Sequence, residues 1–140
     1  MLSTPKNGWC LVSIGSWSDR GSYLDDIPVN LLRAIENVML TENPELVYFD
    51  AEGWEYIIEV DVDQTRITTE TEDHEVEVRT FNVGAQDLAR ELINDVRRDL
   101  EGWVYWPPYA DNPAFDDETR REMLITYCDI MEQLLPKNVS

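Results

Sequence analysis

Hydrophobic and polar residues alternate with a period of two over residues 54–63, WEYIIEVDVD. Successive side chains of a β-strand point to opposite faces of a sheet, so this period predicts a half-buried strand. The residues expected to face the core are Trp54, Tyr56, Ile58, Val60 and Val62. The opposite face is predicted to be acidic, because its positions include Glu55, Glu59, Asp61 and Asp63.

Four further segments have the composition of β-strands. Residues 8–14 and 45–50 are short and apolar, and residues 65–71 and 75–83 are rich in β-branched side chains. Short polar connections separate the last four strands, which predicts an antiparallel meander joined by hairpins. The segment that follows the first strand, SWSDRGSYLDD, is predicted to be a polar loop.

Three segments show the helical period, in which apolar residues recur at three and four positions. They run from an N-cap at Asp26 to about Leu40, over residues 85–101, and from Asp116 or Asp117 to about Leu135. Gly102 is expected to end the second helix. The order of elements predicts a single α+β domain over residues 1–140. Its antiparallel β-meander sheet is predicted to have four to five strands, with about three α-helices packed mainly on one face.

The chain is strongly acidic, with 29 Asp and Glu against 11 Lys and Arg and a formal net charge of −18. Such a charge repels nucleic acid and anionic membranes, and no polybasic stretch is present, so direct binding to either is not expected. The excess is concentrated, because residues 41–78 contain thirteen acidic residues and a single base, Arg66. The same field attracts cations, and a basic protein partner is therefore expected.

The acidic candidate site joins the outer face of the central strand to carboxylates on the neighbouring strands. Its members are Glu55, Glu59, Asp61, Asp63, Glu70 and Glu72, and the strand register decides which of the last two share the face. Like charges opposite one another destabilise a sheet, by roughly tenths of a kcal/mol each. Two interpretations remain open: the face binds a basic protein, or it is an acidic surface that serves hydration alone.

An aromatic and proline-rich segment, WVYWPPYADNPAF, follows the second helix. Tyr and Trp are frequent at interface hot spots, and prolines reduce the entropy that a loop loses on binding. Aromatic rings also cover junctions between helices and sheets. We expect Trp103 in the core, and Tyr105, Trp106 and Tyr109 on the surface, where they complete the candidate partner-binding site.

The sequence gives little support for metal binding or catalysis. Asp61, Asp63 and Glu72 have the spacing of a calcium loop, but Arg66 stands where the sharp turn of that loop requires Gly. The only histidine, His74, lies among carboxylates that favour its charged form, which does not suit a general base. No catalytic residue, metal ligand or cofactor is therefore predicted.

The sequence also indicates a cellular compartment. The first residues lack the apolar core of a signal peptide, and no segment is long and apolar enough to span a membrane. Cys10 and Cys128 lie far apart without a metal-binding or redox spacing, and reduced core thiols are expected. The predicted location is the cytoplasm.

A small, strongly acidic α+β domain with an aromatic loop and no catalytic motif resembles the immunity proteins of bacterial toxin systems, including contact-dependent growth inhibition. The resemblance rests on size, charge and architecture over the whole chain. It implies a non-enzymatic inhibitor that binds a cognate toxin domain, often a cationic nuclease, by covering its active site.

Two alternatives remain from different functional classes. The first is a DNA mimic, whose carboxylates imitate phosphates and occupy a DNA-binding protein. The second is a small enzyme or ligand-binding domain, for which a pocket with convergent polar groups is expected under the aromatic loop.

Overall fold

The protein is built from a four-stranded antiparallel sheet, a separate β-hairpin and helices that pack together. The computed structural model describes residues 1–106 and 116–136. In chain order the elements of these residues are β1 (Trp9–Ile14), β2 (Trp17–Ser22), α1 (Ile27–Thr41), β3 (Glu45–Asp50), β4 (Glu55–Val60), β5 (Thr65–Glu70), β6 (Val76–Phe81), α2 (Ala85–Arg98), α3 (Leu100–Val104) and α4 (Asp117–Leu134). The sheet order is β3-β4-β5-β6 and the hairpin pairs β1 with β2. The predicted α+β class and the antiparallel meander are confirmed.

The core lies between one face of the sheet and the helices. Helix α1 contacts β3 and β4, while α2 and α4 pack against α1 and against each other. The strand residues buried in this layer are Val47, Phe49, Tyr56, Ile58, Val60 and Ile67, and the matching apolar residues of α1 include Leu31, Leu32, Ile35 and Val38. Their positions alternate along each strand, so every intervening residue belongs to the opposite face of the sheet.

Strand β2 lies within the segment that was predicted to be a polar loop, and that prediction was wrong. The sequence WSDRGS has no apolar alternation, and it becomes a strand through its pairing with β1. The connecting turn is two residues long and begins at Gly15, whose φ of 57° suits a tight hairpin. The Trp17 ring lies edge-on to the Tyr56 ring, with centroids 5.1 Å apart, and the Tyr56 hydroxyl donates to the Arg20 carbonyl at 2.9 Å. The hairpin therefore packs on the core side of the sheet.

Helix α1 begins after Asp26, as predicted, although the Asp26 carboxylate makes no capping hydrogen bond. Helix α4 has a conventional cap, in which the Asp116 carboxylate accepts from the Thr119 N–H at 2.7 Å. The prediction that Gly102 ends the second helix was wrong, because α2 ends at Arg98 and Gly102 lies inside α3. A Cβ at Gly102 would lie 2.7 Å from the Pro5 ring, so close approach to the N-terminal segment explains this glycine.

Candidate functional site

The face of the sheet opposite α1 carries exposed side chains on both edge strands. Strand pairing aligns its residues in three rows that run across the sheet. The central row is Tyr48, Ile57, Thr68 and Val78; on one side lies the acidic row of Asp50, Glu55, Glu70 and Val76, and on the other a mixed row of Leu46, Glu59, Arg66 and Thr80. We call these twelve residues the outer face.

The central row of the outer face is mainly apolar, and each flanking row has an apolar residue at one end. Tyr48 is 62% exposed, Val78 56% and Val76 61%, and Leu46 is also exposed. Ile57 and Thr68, in the middle of the central row, are half-buried by their neighbours on the sheet. Contiguous apolar surface on a monomer commonly marks a contact with another molecule.

The acidic row places carboxylates directly opposite one another on adjacent strands. Asp50 pairs with Glu55 in the β3–β4 register, and Glu55 pairs with Glu70 in the β4–β5 register. Opposed like charges destabilise a sheet, by roughly 0.2–1 kcal/mol a pair. Among the described residues, the His74 ring contacts this row, with its Nδ1 3.1 Å from Glu70 Oε1, and both side chains are largely exposed. Most of this negative charge therefore faces solvent.

A depression of about 300 Å³ lies where the acidic row meets the central row. Its lining includes Tyr48, Ile57 and Val76 together with the carboxylates of Glu55 and Glu70. An apolar floor beside carboxylates matches a Lys or Arg side chain, which has an apolar stem and a cationic head. The depression thus offers an apolar surface for the stem of a basic side chain and carboxylates for its cationic head.

The carboxyl group of Asp25 lines the same depression as the acidic row. Partial burial raises the pKa of Asp25, and the charges of Asp50 and Glu55 raise it further. The hydrogen bond that Asp25 Oδ2 accepts from the Asp50 N–H, at 2.8 Å, lowers the pKa and offsets part of the increase. An added positive charge at this end would relieve the repulsion among these carboxylates.

The structure brings together three of the six predicted acidic residues. Glu55, Glu70 and Glu72 line a second, shallow depression of about 390 Å³ at the end of the sheet formed by the β3–β4 and β5–β6 connections. Glu59 lies in the mixed row, where its carboxylate is 3.6 Å from the Arg66 guanidinium. The strand register that decided these positions could not be read from the sequence.

Asp61 and Asp63 lie at the opposite end of the sheet, in the turn between β4 and β5. Strand β4 ends at Val60, and the Asp61 N–H then donates to the Gln64 carbonyl to close the turn. The prediction that Val62 faces the core was wrong, because Val62 lies in this turn and is exposed. Alternation of side chains between two faces holds only while the backbone stays extended.

The aromatic residues divide differently from the prediction. Trp103 is buried and Tyr105 is 53% exposed, as expected, but Trp106 is only 1% exposed and its placement on the surface was wrong. The Trp106 Nε1 donates to the Asp25 carbonyl at 2.9 Å, and its ring packs against Trp103 with centroids 5.0 Å apart. Tyr109 lies outside the described residues. Trp106 is therefore part of the core and not a partner-binding anchor.

The apolar residues of the outer face were not predicted as site residues. A signal was present at Ile57, the one apolar side chain on the otherwise acidic face of the central strand. Another was the alternation of Val76 and Val78 with charged residues in a strand with no expected partner on its far side. Neither signal shows by itself that Tyr48 lies in register with them.

The described residues contain no group of three or more His, Cys, Asp or Glu side chains arranged to hold a metal ion. Over residues 1–106 and 116–136, no helix has the length and apolar character needed to cross a lipid bilayer. Comparisons with protein families, with curated proteins and with solved structures found no match to this chain.

Proposed function

We propose that this protein is a non-enzymatic inhibitor that binds a basic protein partner through the outer face, as an immunity protein binds a cognate toxin. The observation that carries the proposal is the exposed apolar central row bordered by the acidic row. Protein interfaces have the same anatomy, with an apolar centre and a polar rim. The complementary partner surface has an apolar centre and basic residues along one side.

The charge distribution supports a basic partner over a neutral one. Opposed carboxylates such as Glu55 and Glu70 repel one another in the free protein. A cationic side chain inserted beside them removes this repulsion and adds charge-assisted hydrogen bonds. A basic partner therefore stabilises the acidic row more than a neutral partner does.

The charge of the whole chain adds a kinetic effect. An acidic surface steers a basic protein towards it and raises the association rate by about 10- to 1,000-fold at low salt. A toxin that acts on nucleic acid has a basic cleft, because it must contact phosphates. Occupation of such a cleft by the outer face blocks the substrate without any chemical step, which is why we propose an inhibitor.

The test uses the protein encoded by the reading frame next to the gene of this chain, examined first for a toxin domain. Binding kinetics are measured for the wild type and for a variant with Glu55→Lys and Glu70→Lys. A matched control carries Asp61→Lys and Asp63→Lys, which is the same charge change at the opposite end of the sheet. We expect the first variant to associate about tenfold or more slowly at low salt, and the control to change much less.

The contribution of the central row is tested by measuring how fast the complex dissociates. Tyr48→Ala removes an exposed aromatic side chain from the central row, and a loss of about 2 kcal/mol, typical of a hot spot, speeds dissociation roughly 30-fold. Tyr23→Ala is the control, because Tyr23 is exposed and packs beside Gly8, away from the outer face. Unchanged dissociation for Tyr48→Ala would contradict the outer face as the interface.

Three further outcomes separate the proposal from its competitors. A neighbouring gene without a toxin domain counts against the immunity role. Equal binding of a generic basic protein such as lysozyme indicates charge attraction without specificity. Competition with DNA on several DNA-binding proteins, lost steeply with salt, supports DNA mimicry instead.

A further inference from the structure

The free edge of strand β6 has the features of a surface that pairs with another strand. The sheet order ends at β6, and no described strand pairs with its outer edge. The strand is six residues long, contains no proline, and is exposed from Val76 to Thr80. An edge strand of this kind presents unpaired backbone N–H and C=O groups to solvent.

The hydrogen-bonding pattern identifies the residues whose backbone groups point outward. The Thr71 N–H donates to the Glu75 carbonyl at 2.9 Å, so Glu75 faces the β5 side of the hairpin. Because the direction alternates along a strand, the backbone groups of Glu77, Arg79 and Phe81 also point towards β5. Those of Val76, Val78 and Thr80 point away from the sheet. These three residues carry the edge that is free to pair.

We infer that two copies of this chain pair through their β6 edges, antiparallel and about a two-fold axis at Val78. In this register Val78 lies opposite the Val78 of the second copy, and Val76 lies opposite Thr80. Glu77 of each copy then lies opposite Arg79 of the other, which gives two cross-strand ion pairs related by symmetry. A two-fold interface must be self-complementary, and the segment Val76–Thr80 satisfies this condition.

The charge of the edge strand favours a second copy of this chain as its partner. The chain as a whole has a formal charge of −18, which opposes self-association. Residues 76–81, VEVRTF, are neutral in sum, and the Arg79 guanidinium lies on the edge strand within reach of Ser16 Oγ at 3.0 Å. Charges separated by more than a Debye length, about 10 Å at 0.1 M salt, are largely screened. Salt therefore reduces the repulsion between distant carboxylates of the two copies, while the pairs of Glu77 with Arg79 act at contact distance.

The pairing also accounts for exposed apolar residues at the edge. Glu77 and Arg79 lie on the core side of the strand, while Val76 and Val78 lie on the outer face. Pairing about Val78 joins the two central rows into one row that crosses an eight-stranded sheet. The side chains of Val78 from the two copies then shield each other. The inference concerns the backbone edge and the Glu77–Arg79 match, and it does not require the proposed function to be correct.

The test measures mass by sedimentation or light scattering over a range of protein concentration. We expect the wild type to show a monomer–dimer equilibrium. Glu77→Arg and Arg79→Glu each place like charges opposite one another and should weaken dimerisation roughly tenfold or more. The double variant with both changes restores opposite charges and should dimerise like the wild type. An equimolar mixture of the two single variants should form the heterodimer.

Two controls keep the test decisive. Glu122→Arg on α4 changes the net charge as Glu77→Arg does, at an exposed site remote from β6, and should not weaken dimerisation. Val78→Pro removes an N–H that points outward, so it blocks pairing while the ladder to β5 stays intact. A wild type that is monomeric at every concentration overturns the inference, and Glu77 and Arg79 then only protect the edge. A dimer that none of these β6 variants weakens overturns it as well.

Discussion

The buried ion pair between Asp26, at the start of α1, and Arg120 of α4 provides the most informative test of the fold. The Arg120 guanidinium donates from Nη1 and Nη2 to the two carboxylate oxygens of Asp26, at 3.0 and 2.9 Å, and from Nε to the Trp103 carbonyl at 2.8 Å. The Arg120 side chain is only 2% exposed and that of Asp26 8%. One cluster thus connects the start of α1, the short helix α3 and the first turn of α4.

The perturbation is Asp26→Asn, which keeps the size of the side chain and removes its charge. The Arg120 guanidinium then stays buried but loses its ion pair with Asp26, and breaking a buried pair in this way costs about 3–5 kcal/mol. An unfolding entropy of about 2.1 cal/mol/K per residue gives this 140-residue chain roughly 0.3 kcal/mol/K. The melting temperature should therefore fall by about 10–17 °C.

The assays are thermal unfolding, which gives the melting temperature, and urea unfolding, which gives the free energy; both are followed by tryptophan fluorescence and circular dichroism. A double variant, Asp26→Asn with Arg120→Met, removes both charges and should be more stable than Asp26→Asn alone, because the buried guanidinium that lost the charge of Asp26 is removed as well. Glu101→Gln is the control, since it weakens the mainly exposed contact with Arg121 and should cost less than about 1 kcal/mol. A loss below about 1 kcal/mol for Asp26→Asn, or additive losses in the double variant, would refute the reasoning.

Three further predictions test other parts of the structure. Trp106→Ala should lower the free energy of unfolding by about 3–5 kcal/mol, whereas Tyr105→Ala, next to it but exposed, should cost far less in the same urea titration. Burial raises the pKa of Cys10 to about 12 and that of Cys128 to about 11, so neither thiol should react with Ellman's reagent at pH 8 until the protein is unfolded. Asp25→Asn should stabilise the protein at pH 7, and urea titrations across pH should show this gain disappearing in acid.

The direction of the stability change in Asp25→Asn follows from the linkage between protonation and folding. The pKa of Asp25 is raised in the folded protein, so ionisation of this carboxyl costs stability as the pH rises through its folded pKa. The variant lacks this cost, and its advantage vanishes below the pKa of an ordinary aspartate, about 3.9, where both proteins are uncharged at this position. A gain that is independent of pH would exclude Asp25 ionisation as its cause.

Reactivity of either cysteine in the folded protein would contradict the burial of that thiol. Equal losses of stability for Trp106→Ala and Tyr105→Ala would contradict the burial of Trp106.

Local patterns in the sequence were sufficient for most elements of the fold. The alternation around Tyr56 and Ile58, the period of the helices and the cap at Asp116 each depend on neighbouring residues only. For that reason the strands of the meander and the starts of α1 and α4 were predicted close to where they lie. Strand β2 was missed because its extended conformation depends on β1, and its own residues carry no period.

The composition of the candidate site could not be predicted without the strand register. The sequence by itself determined that negative charge is concentrated between residues 41 and 78 and that one face of β4 is acidic. Only the tertiary structure decided that Glu55 and Glu70 lie opposite each other while Asp63 lies at the far end. A shift of register by one residue would move these side chains to the other face of the sheet, at no change in composition.

The tertiary structure also decided which of the aromatic residues are buried. Trp103 and Trp106 lie in one aromatic segment, and the local sequence does not show whether both of them are buried. The packing of α1, α3 and α4 leaves space for both rings and supplies the Asp25 carbonyl as an acceptor for the Trp106 N–H. Burial depends on what lies across from a side chain, and residues distant in sequence provide that surface. The sequence therefore determined most of the elements and the charge, and the tertiary structure decided which of the side chains are exposed together on one face of the sheet.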